Sequence, residues 1–305
     1  MTAAPGTTRP PRTLDDVPGW FPVLDQVLFD WFLDRQEATR VRGDLLEVGV
    51  YLGKSAIFLG RRPREGERYT VCDLFEGDAP DDANKAESTK SYRTLTRQAF
   101  EENYLSFHDT LPRVLEGPSS RVPAEVAPGS CRFVHIDASH LYEHVHGDIG
   151  AAHDVLVPGG VVVLDDFRSE HTPGVSIAVW EAVLNRGLRP ICLSTQKLYG
   201  TWGDPGPVQE ELLAMARGRG DCRLSVQEAA GHRIVRLKSD GMRAPEFPPA
   251  RFVPAPRGAA SDDAPASASP APHPVRRRGR GRRLAADLLP PVVTRAIRNA
   301  RTGRG

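Results

Sequence analysis

The 305-residue chain is 40% hydrophobic and 26% charged, enough apolar content to bury a substantial core, so one globular domain with an appendage is expected. Its net charge of +1 hides a division, because residues 254–305 hold eleven Arg and three Asp, a balance of +8 that leaves about −7 elsewhere. Residues 1–13 contain no apolar run, so neither a secretory signal nor a membrane span is visible there and cytoplasmic residence is the expectation.

After those first residues, 25–36 read as an amphipathic helix that turns Val27, Leu28, Trp31 and Phe32 to the core. Leu45, Leu46, Val48 and Val50 then form a buried parallel strand that runs into Gly49-Val50-Tyr51-Leu52-Gly53 and a helix over 55–60. Gly49 and Gly53 allow a tight turn and a close approach to a ligand, and the unpaired amides opening the helix favour an anionic group. Taken alone, such a turn suits an ordinary strand-to-helix junction equally well. Glu47 narrows the choice, since a carboxylate inside an apolar strand is costly to bury unless it faces a polar or cationic ligand. Asp73 ends the next strand, 69–74, twenty residues after Gly53, where an acid can bind the hydroxyls of a ribose. The Gly-x-Gly-x-x-Gly pattern of a dinucleotide enzyme is absent.

Residues 76–90 are a polar, acidic insertion with the character of a lid, followed by a helix over 91–104. Strands are expected over 113–116, 132–136 and 161–164, with helices over 142–155 and 175–185. Strands over 190–193 and 197–202 and a helix over 212–216 come next, and 223–226 with 234–237 can close an antiparallel edge. The alternation predicts an α/β fold, a Rossmann-like doubly wound, mostly parallel sheet of about seven strands with an antiparallel edge. Cys72, Cys131, Cys192 and Cys222 are widely scattered and fit reduced core thiols better than a disulfide framework or a zinc site.

Asp137 terminates the strand ending at Ile136, and Asp165 and Asp166 terminate the one ending at Leu164. Ligands of parallel sheets bind beyond the carboxyl ends of the strands, so these acids should reach the same rim as Glu47 and Asp73. Three neighbouring carboxylates repel one another unless a hard cation such as Mg2+ lies between them, and the plain alternative is acids that cap loops. His140, three residues after Asp137, stands where it could take a proton from a metal-held hydroxyl, or simply bond backbone at a helix start. His140 and His144 have the i, i+4 spacing of a zinc face, but no third ligand is evident and a solvated helix is favoured.

Residues 255–274, dominated by Ala, Pro and Ser, are expected to be a disordered linker, and the run from Arg276 to Arg283 is densely cationic. That tail suits nucleic acid or an anionic membrane surface, or no dedicated partner at all, since aromatic residues for base stacking are missing. The expected division is a flexible 1–13, a catalytic domain over 14–240 and a disordered basic tail over 241–305.

In combination, these motifs resemble the class I S-adenosylmethionine-dependent methyltransferases of the methyltransferase 24 family, over about residues 17–237. Leu46-Glu47-Val48-Gly49-Val50-Tyr51-Leu52-Gly53-Lys54-Ser55 is similar to the first motif of catechol-type O-methyltransferases, with Glu, Gly, Tyr, Gly and Ser in matching places. The resemblance implies a cofactor site at Glu47, Gly49, Tyr51, Gly53 and Ser55, with Gly49, Tyr51 and Ser55 on the methionine part, Asp73 on the ribose and Ser119 on the adenine. It also implies Mg2+ held by Asp137, Asp165 and Asp166, where the catechol-type enzymes place Asp, Asp and Asn. Those enzymes have a catalytic lysine where this chain has His140, so a base here would be a different chemical group. The expected activity is S-adenosylmethionine-dependent, Mg2+-assisted O-methylation of a hydroxyl on a small molecule or sugar. The alternatives are metal-independent methylation of another acceptor atom, and a nucleotide-binding or scaffold protein acting through its basic tail. Assembly into a homo-oligomer stays open.

Overall fold

A computed structural model describes residues 10–91 and 95–251. In chain order its strands are β1 (Asp44–Val48), β2 (Tyr69–Asp73), β3 (Arg113–Glu116), β4 (Cys131–Ile136), β5 (Leu156–Leu164), β6 (Arg189–Leu193), β7 (Leu198–Thr201), β8 (Cys222–Ala229) and β9 (His232–Ser239). The helices are α1 (Val23–Ala38), α2 (Lys54–Leu59), α3 (Asp82–Ser91), α4 (Arg97–Leu105), α5 (Val122–Glu125), α6 (Tyr142–Val155), α7 (Pro173–Asn185) and α8 (Gly206–Arg217).

All nine described strands join one sheet in the order β3-β2-β1-β4-β5-β7-β6-β9-β8. The first five are mutually parallel, β7 runs antiparallel between β5 and β6, β9 is parallel to β6, and β8 pairs antiparallel with β9. The β8–β9 hairpin joins the sheet through β6 and closes its antiparallel edge, as expected, which brings the sheet to nine described strands where about seven were expected.

The central strands are mostly apolar, as strands covered on both faces are. Leu45, Val71, Phe133 and Val163 point into one core with α1, α2, α4 and α8, whereas Leu46, Cys72, Val134 and Val162 point into the other with α6 and α7. This alternation follows the two-residue period of a strand. On α1 the inner stripe is Leu24, Leu28, Phe29, Phe32 and Leu33, while Val27 and Trp31, expected to lead the packing, are only partly buried. The helix turns about 100° per residue, which puts Phe29 and Leu33 on the same stripe as Leu28 and Phe32.

The domain runs past the expected boundary at 240. Met242 and Ala250 are buried, and the Phe247 ring stacks on Phe58 with centroids 5.7 Å apart. Ala250 N donates to Arg12 O and Arg251 N to Ser106 O, both at 2.8 Å, so this segment also ties down the chain just before residue 14. Residues 1–9 and 252–305, including the expected linker and arginine run, lie outside the described residues. The four cysteines are free thiols, with Cys72, Cys131 and Cys192 buried. Among the described residues, no helix is long and apolar enough to cross a membrane.

Candidate active site

The carboxyl ends of β1, β2, β4 and β5 are stitched together by backbone bonds. Gly49 N donates to Cys72 O, Asp137 N to Val48 O and Asp165 N to Ile136 O, at 2.8, 2.8 and 3.0 Å. These bonds bring the glycine turn, Asp73, Asp137 and Asp165 to one rim, where the strand order reverses between β1 and β4.

Gly49, Tyr51 and Gly53 all have positive φ, at 82°, 48° and 94°. The turn needs Gly49 for a reason internal to the fold: a Cβ there would lie 2.0 Å from the Asp137 carbonyl oxygen. The backbone that Gly49 approaches is therefore that of β4's end. Ser55 is the second residue of α2, directly after the turn. Asp73 braces the same turn, its Oδ2 accepting from Val50 N at 2.7 Å and Tyr51 N at 3.2 Å and its Oδ1 from Phe75 N at 2.8 Å. Burial raises its pKa in spite of these three amides.

Glu47 departs from expectation. Its side chain is fully buried and faces the sheet's interior, one oxygen accepting from the Tyr69 hydroxyl and the other bonded to His135 Nδ1 at 2.8 Å. Those protein partners, and not a ligand, satisfy the strand's carboxylate. His135 Nε2 lies 3.2 Å from Lys197 Nζ, and Lys197 is paired with Asp165 Oδ2. An ammonium has no lone pair, so Nε2 is the acceptor and Nδ1–H donates to Glu47. A buried polar chain thus runs Tyr69, Glu47, His135, Lys197, Asp165, from the core to the rim.

Asp137, Asp165 and His135 each offer a ligand atom within 4.8 Å of the others. Lys197 engages both His135 Nε2 and Asp165 Oδ2, and Asp165 Oδ1 accepts from Asp166 N at 2.7 Å, so a cation at this group would share Asp165 with that ammonium. Asp166, with φ of 56°, turns toward His140, whose Nε2 is 3.1 Å from Asp166 Oδ2; Ser169 Oγ donates to its other oxygen at 2.7 Å. The three acids line one small pocket with His140, Asp137 and Asp165 grouped with His135 while Asp166 Oδ2 is paired with His140.

His140 is clamped. Its Nδ1 is 3.0 Å from Glu87 Oε1, which also accepts from the His140 amide at 2.9 Å. Burial alone would lower its pKa, but hydrogen bonds to Asp166 and Glu87 outweigh that and push it up to about 10, so the ring is an imidazolium at neutral pH. The same contacts lower the pKa of Asp166 and of Glu87 against the opposing effect of burial. His144 pairs separately with Asp81 at 2.7 Å, so the two histidines do not form a common metal face.

Ser119 opens a short 3-10 turn after β3 and bonds Asp148 of α6, whose pKa burial pushes up to about 6. Four residues of this network escape a reading of the sequence. Glu87 is one acid in a uniformly polar insertion that folds into α3, and Lys197 is a single cation at the start of an apolar run. Tyr69 and His135 gave a usable signal: each is a polar group in an apolar strand adjacent to β1, His135 in register with Glu47 and Tyr69 with Leu45, two residues before Glu47.

Residues 46–167 match the family model Methyltransf_24, described as a methyltransferase domain. Among solved structures, the chain is similar to the O-methyltransferase NovP at 19% identity, covering 59% of this chain and 81% of that one with a TM-score of 0.46. It is similar to CalS11, a calicheamicin methyltransferase, at 21% identity, covering 59% and 79% with a TM-score of 0.44. A further similarity is to the MycE methyltransferase of mycinamycin biosynthesis, solved with Mg, SAH and mycinamycin VI, at 15% identity, 61% and 51% coverage and a TM-score of 0.38. No curated protein sequence matches the chain. The matched residues contain the glycine turn, Asp73 and all three rim acids, so the stretch over which this chain is similar to a methyltransferase domain is the one that builds the rim.

Proposed function

We propose that the enzyme transfers the S-adenosylmethionine methyl group to a hydroxyl oxygen of a small molecule or sugar, assisted by Mg2+ at Asp137, Asp165 and Asp166. The observation that carries this reading is the approach of the Asp137 and Asp165 carboxylates to one point of the rim, beside His140 and one backbone contact away from the glycine turn. Their donor chemistry fits the ion: paired hard oxygens, with Asp166 next in sequence. When bound, Mg2+ would lower the pKa of an acceptor hydroxyl and stabilise developing alkoxide.

The chain's own residues supply placement. Gly49, Tyr51 and Ser55 are assigned to the methionine part of the cofactor, Gly53 to the same cradle, Asp73 to the ribose and Ser119 to the adenine. Glu47 belongs behind this cradle, holding Tyr69 and His135. Fixing acceptor oxygen, methyl carbon and sulfur in line contributes roughly 7–11 kcal/mol toward the barrier. The oxygen–carbon bond forms as the carbon–sulfur bond breaks, the electron pair returns to sulfur, and the hydroxyl proton passes to His140. To accept it, His140 must first release one of its own ring protons, which parting from a carboxylate would favour, and Asp166 is the one also assigned to the cation.

A second reading, metal-independent methylation, is favoured by Lys197, whose buried ammonium already gives Asp165 a counter-charge. One experiment separates them: S-adenosylhomocysteine formation across sugars, catechols and other hydroxylated metabolites, with Mg2+ and with chelator. Turnover that chelator removes and Mg2+ restores supports the first reading; full turnover in chelator contradicts it.

A further inference from the structure

The β8–β9 hairpin carries cations that the methyl-transfer rim does not use. Arg223 lies opposite Lys238 and Ser225 opposite Arg236, so these four side chains share one face of the hairpin. Like charges facing each other across a ladder are destabilising, and Arg236 adds a third cation on the diagonal. Asp240 answers one of them, accepting two bonds of 2.9 Å from Arg223. Arg236 reaches the neutral amide oxygen of Gln227 at 3.5 Å, a marginal contact.

Arg236 pairs with Leu193, the last residue of β6, which sets this face at the carboxyl end of a parallel strand. Thr195, just beyond β6, and Arg168, two residues past Asp166, join it to line a cleft of about 300 Å³. A cleft of that size, lined by three Arg, one Lys and two hydroxyl groups, holds a compact anion and not a whole acceptor. Guanidinium forks match phosphate oxygens bidentately, and a lysine adds a point charge.

We propose that this cleft binds the phosphate or diphosphate group of the acceptor while the acceptor's hydroxyl reaches the rim. That the bound phosphate belongs to the acceptor rests on the O-methyl transfer proposed above; the phosphate site itself does not.

The test uses the full chain and inorganic pyrophosphate, titrated calorimetrically at fixed salt. Wild type is expected to bind, and Arg236→Gln/Lys238→Gln to bind at least tenfold more weakly, with S-adenosylhomocysteine affinity unchanged. Arg168→Gln, on a separate loop, is expected to show the same loss and decides the matter if the hairpin variant does not fold. The basic run at 276–283 is present in every protein compared, so equal pyrophosphate affinity would assign binding to that run and overturn the cleft. In turnover, nucleoside-diphosphate sugars should show a lower KM than their free sugars, an advantage the double variant loses; equal KM values would overturn the acceptor assignment. Absence of methyl transfer to any acceptor contradicts the activity, while the calorimetry still decides the cleft. A duplex oligonucleotide that binds more tightly than pyrophosphate, and is lost in the same variants, would overturn the proposal in favour of a nucleic-acid surface.

Discussion

Lys197 and Asp165 form an ion pair at the rim with side chains 1% and 8% exposed, and the same ammonium lies 3.2 Å from His135 Nε2. Removing one partner of such a pair leaves a buried charge uncompensated, at a cost of about 3–5 kcal/mol. Lys197→Met should lose stability of that order in urea unfolding with chelator present, and Lys197→Met/Asp165→Asn should recover much of it. A single variant as stable as wild type would show that the pair does not hold Asp165.

Gly49 and Gly53 both need positive φ but meet different neighbours. A Cβ at Gly49 would strike the Asp137 carbonyl at 2.0 Å, whereas one at Gly53 would meet the Phe100 ring at 3.1 Å. Backbone strain of about 1–3 kcal/mol applies to both, but a side chain yields more readily than a strand end. Gly49→Ala should therefore lower both the thermal midpoint and S-adenosylhomocysteine affinity more than Gly53→Ala; the reverse order would contradict this account of the turn.

Asp148 is buried, bonds Ser119 and leaves Oδ2 without a partner. Its carboxyl is pushed from an ordinary 3.8 up to about 6 by burial, against the lowering effect of Ser119. The folded form thus holds the proton more tightly, and stability declines as pH rises between those values, by about 3 kcal/mol in all. Asp148→Asn should be more stable than wild type at pH ~8 and lose that advantage near pH ~4, measured by denaturant midpoints.

His140 offers a second pH signature. Its pKa is raised from 6.5 to about 10, so its stabilising contribution is complete below the first value and lost as pH rises through the second. Asp166 and Glu87 are lowered, so their contribution is whole above the ordinary carboxylate range and is lost as pH falls below it, through their lowered values. In an NMR titration, Glu87→Gln should move the His140 midpoint downward; an unmoved midpoint would mean that Glu87 does not hold the ring.

The strand ends were the most legible part of the sequence. Apolar runs closed by Asp73, Asp137 and Asp165 identify carboxyl ends without any knowledge of packing, and the parallel fold then brings them to one rim. Glu47 was legible as an anomaly but not in its direction, because a strand residue's face depends on register, and its partners Tyr69 and His135 come from two other strands. Glu87 and Lys197 were not legible at all: their contacts to His140 and Asp165 span 53 and 32 residues, and nothing local in the sequence distinguishes them from the chain's other charged residues.

Metal-assisted methyl transfer at this rim is tested most directly by comparing wild type, Asp165→Ala and Asp73→Ala for S-adenosylhomocysteine formation with Mg2+, alongside cofactor binding by calorimetry. Asp165→Ala should abolish Mg2+-dependent turnover while still binding cofactor, and Asp73→Ala should weaken cofactor binding itself. Undiminished Mg2+-dependent turnover by Asp165→Ala would contradict the account.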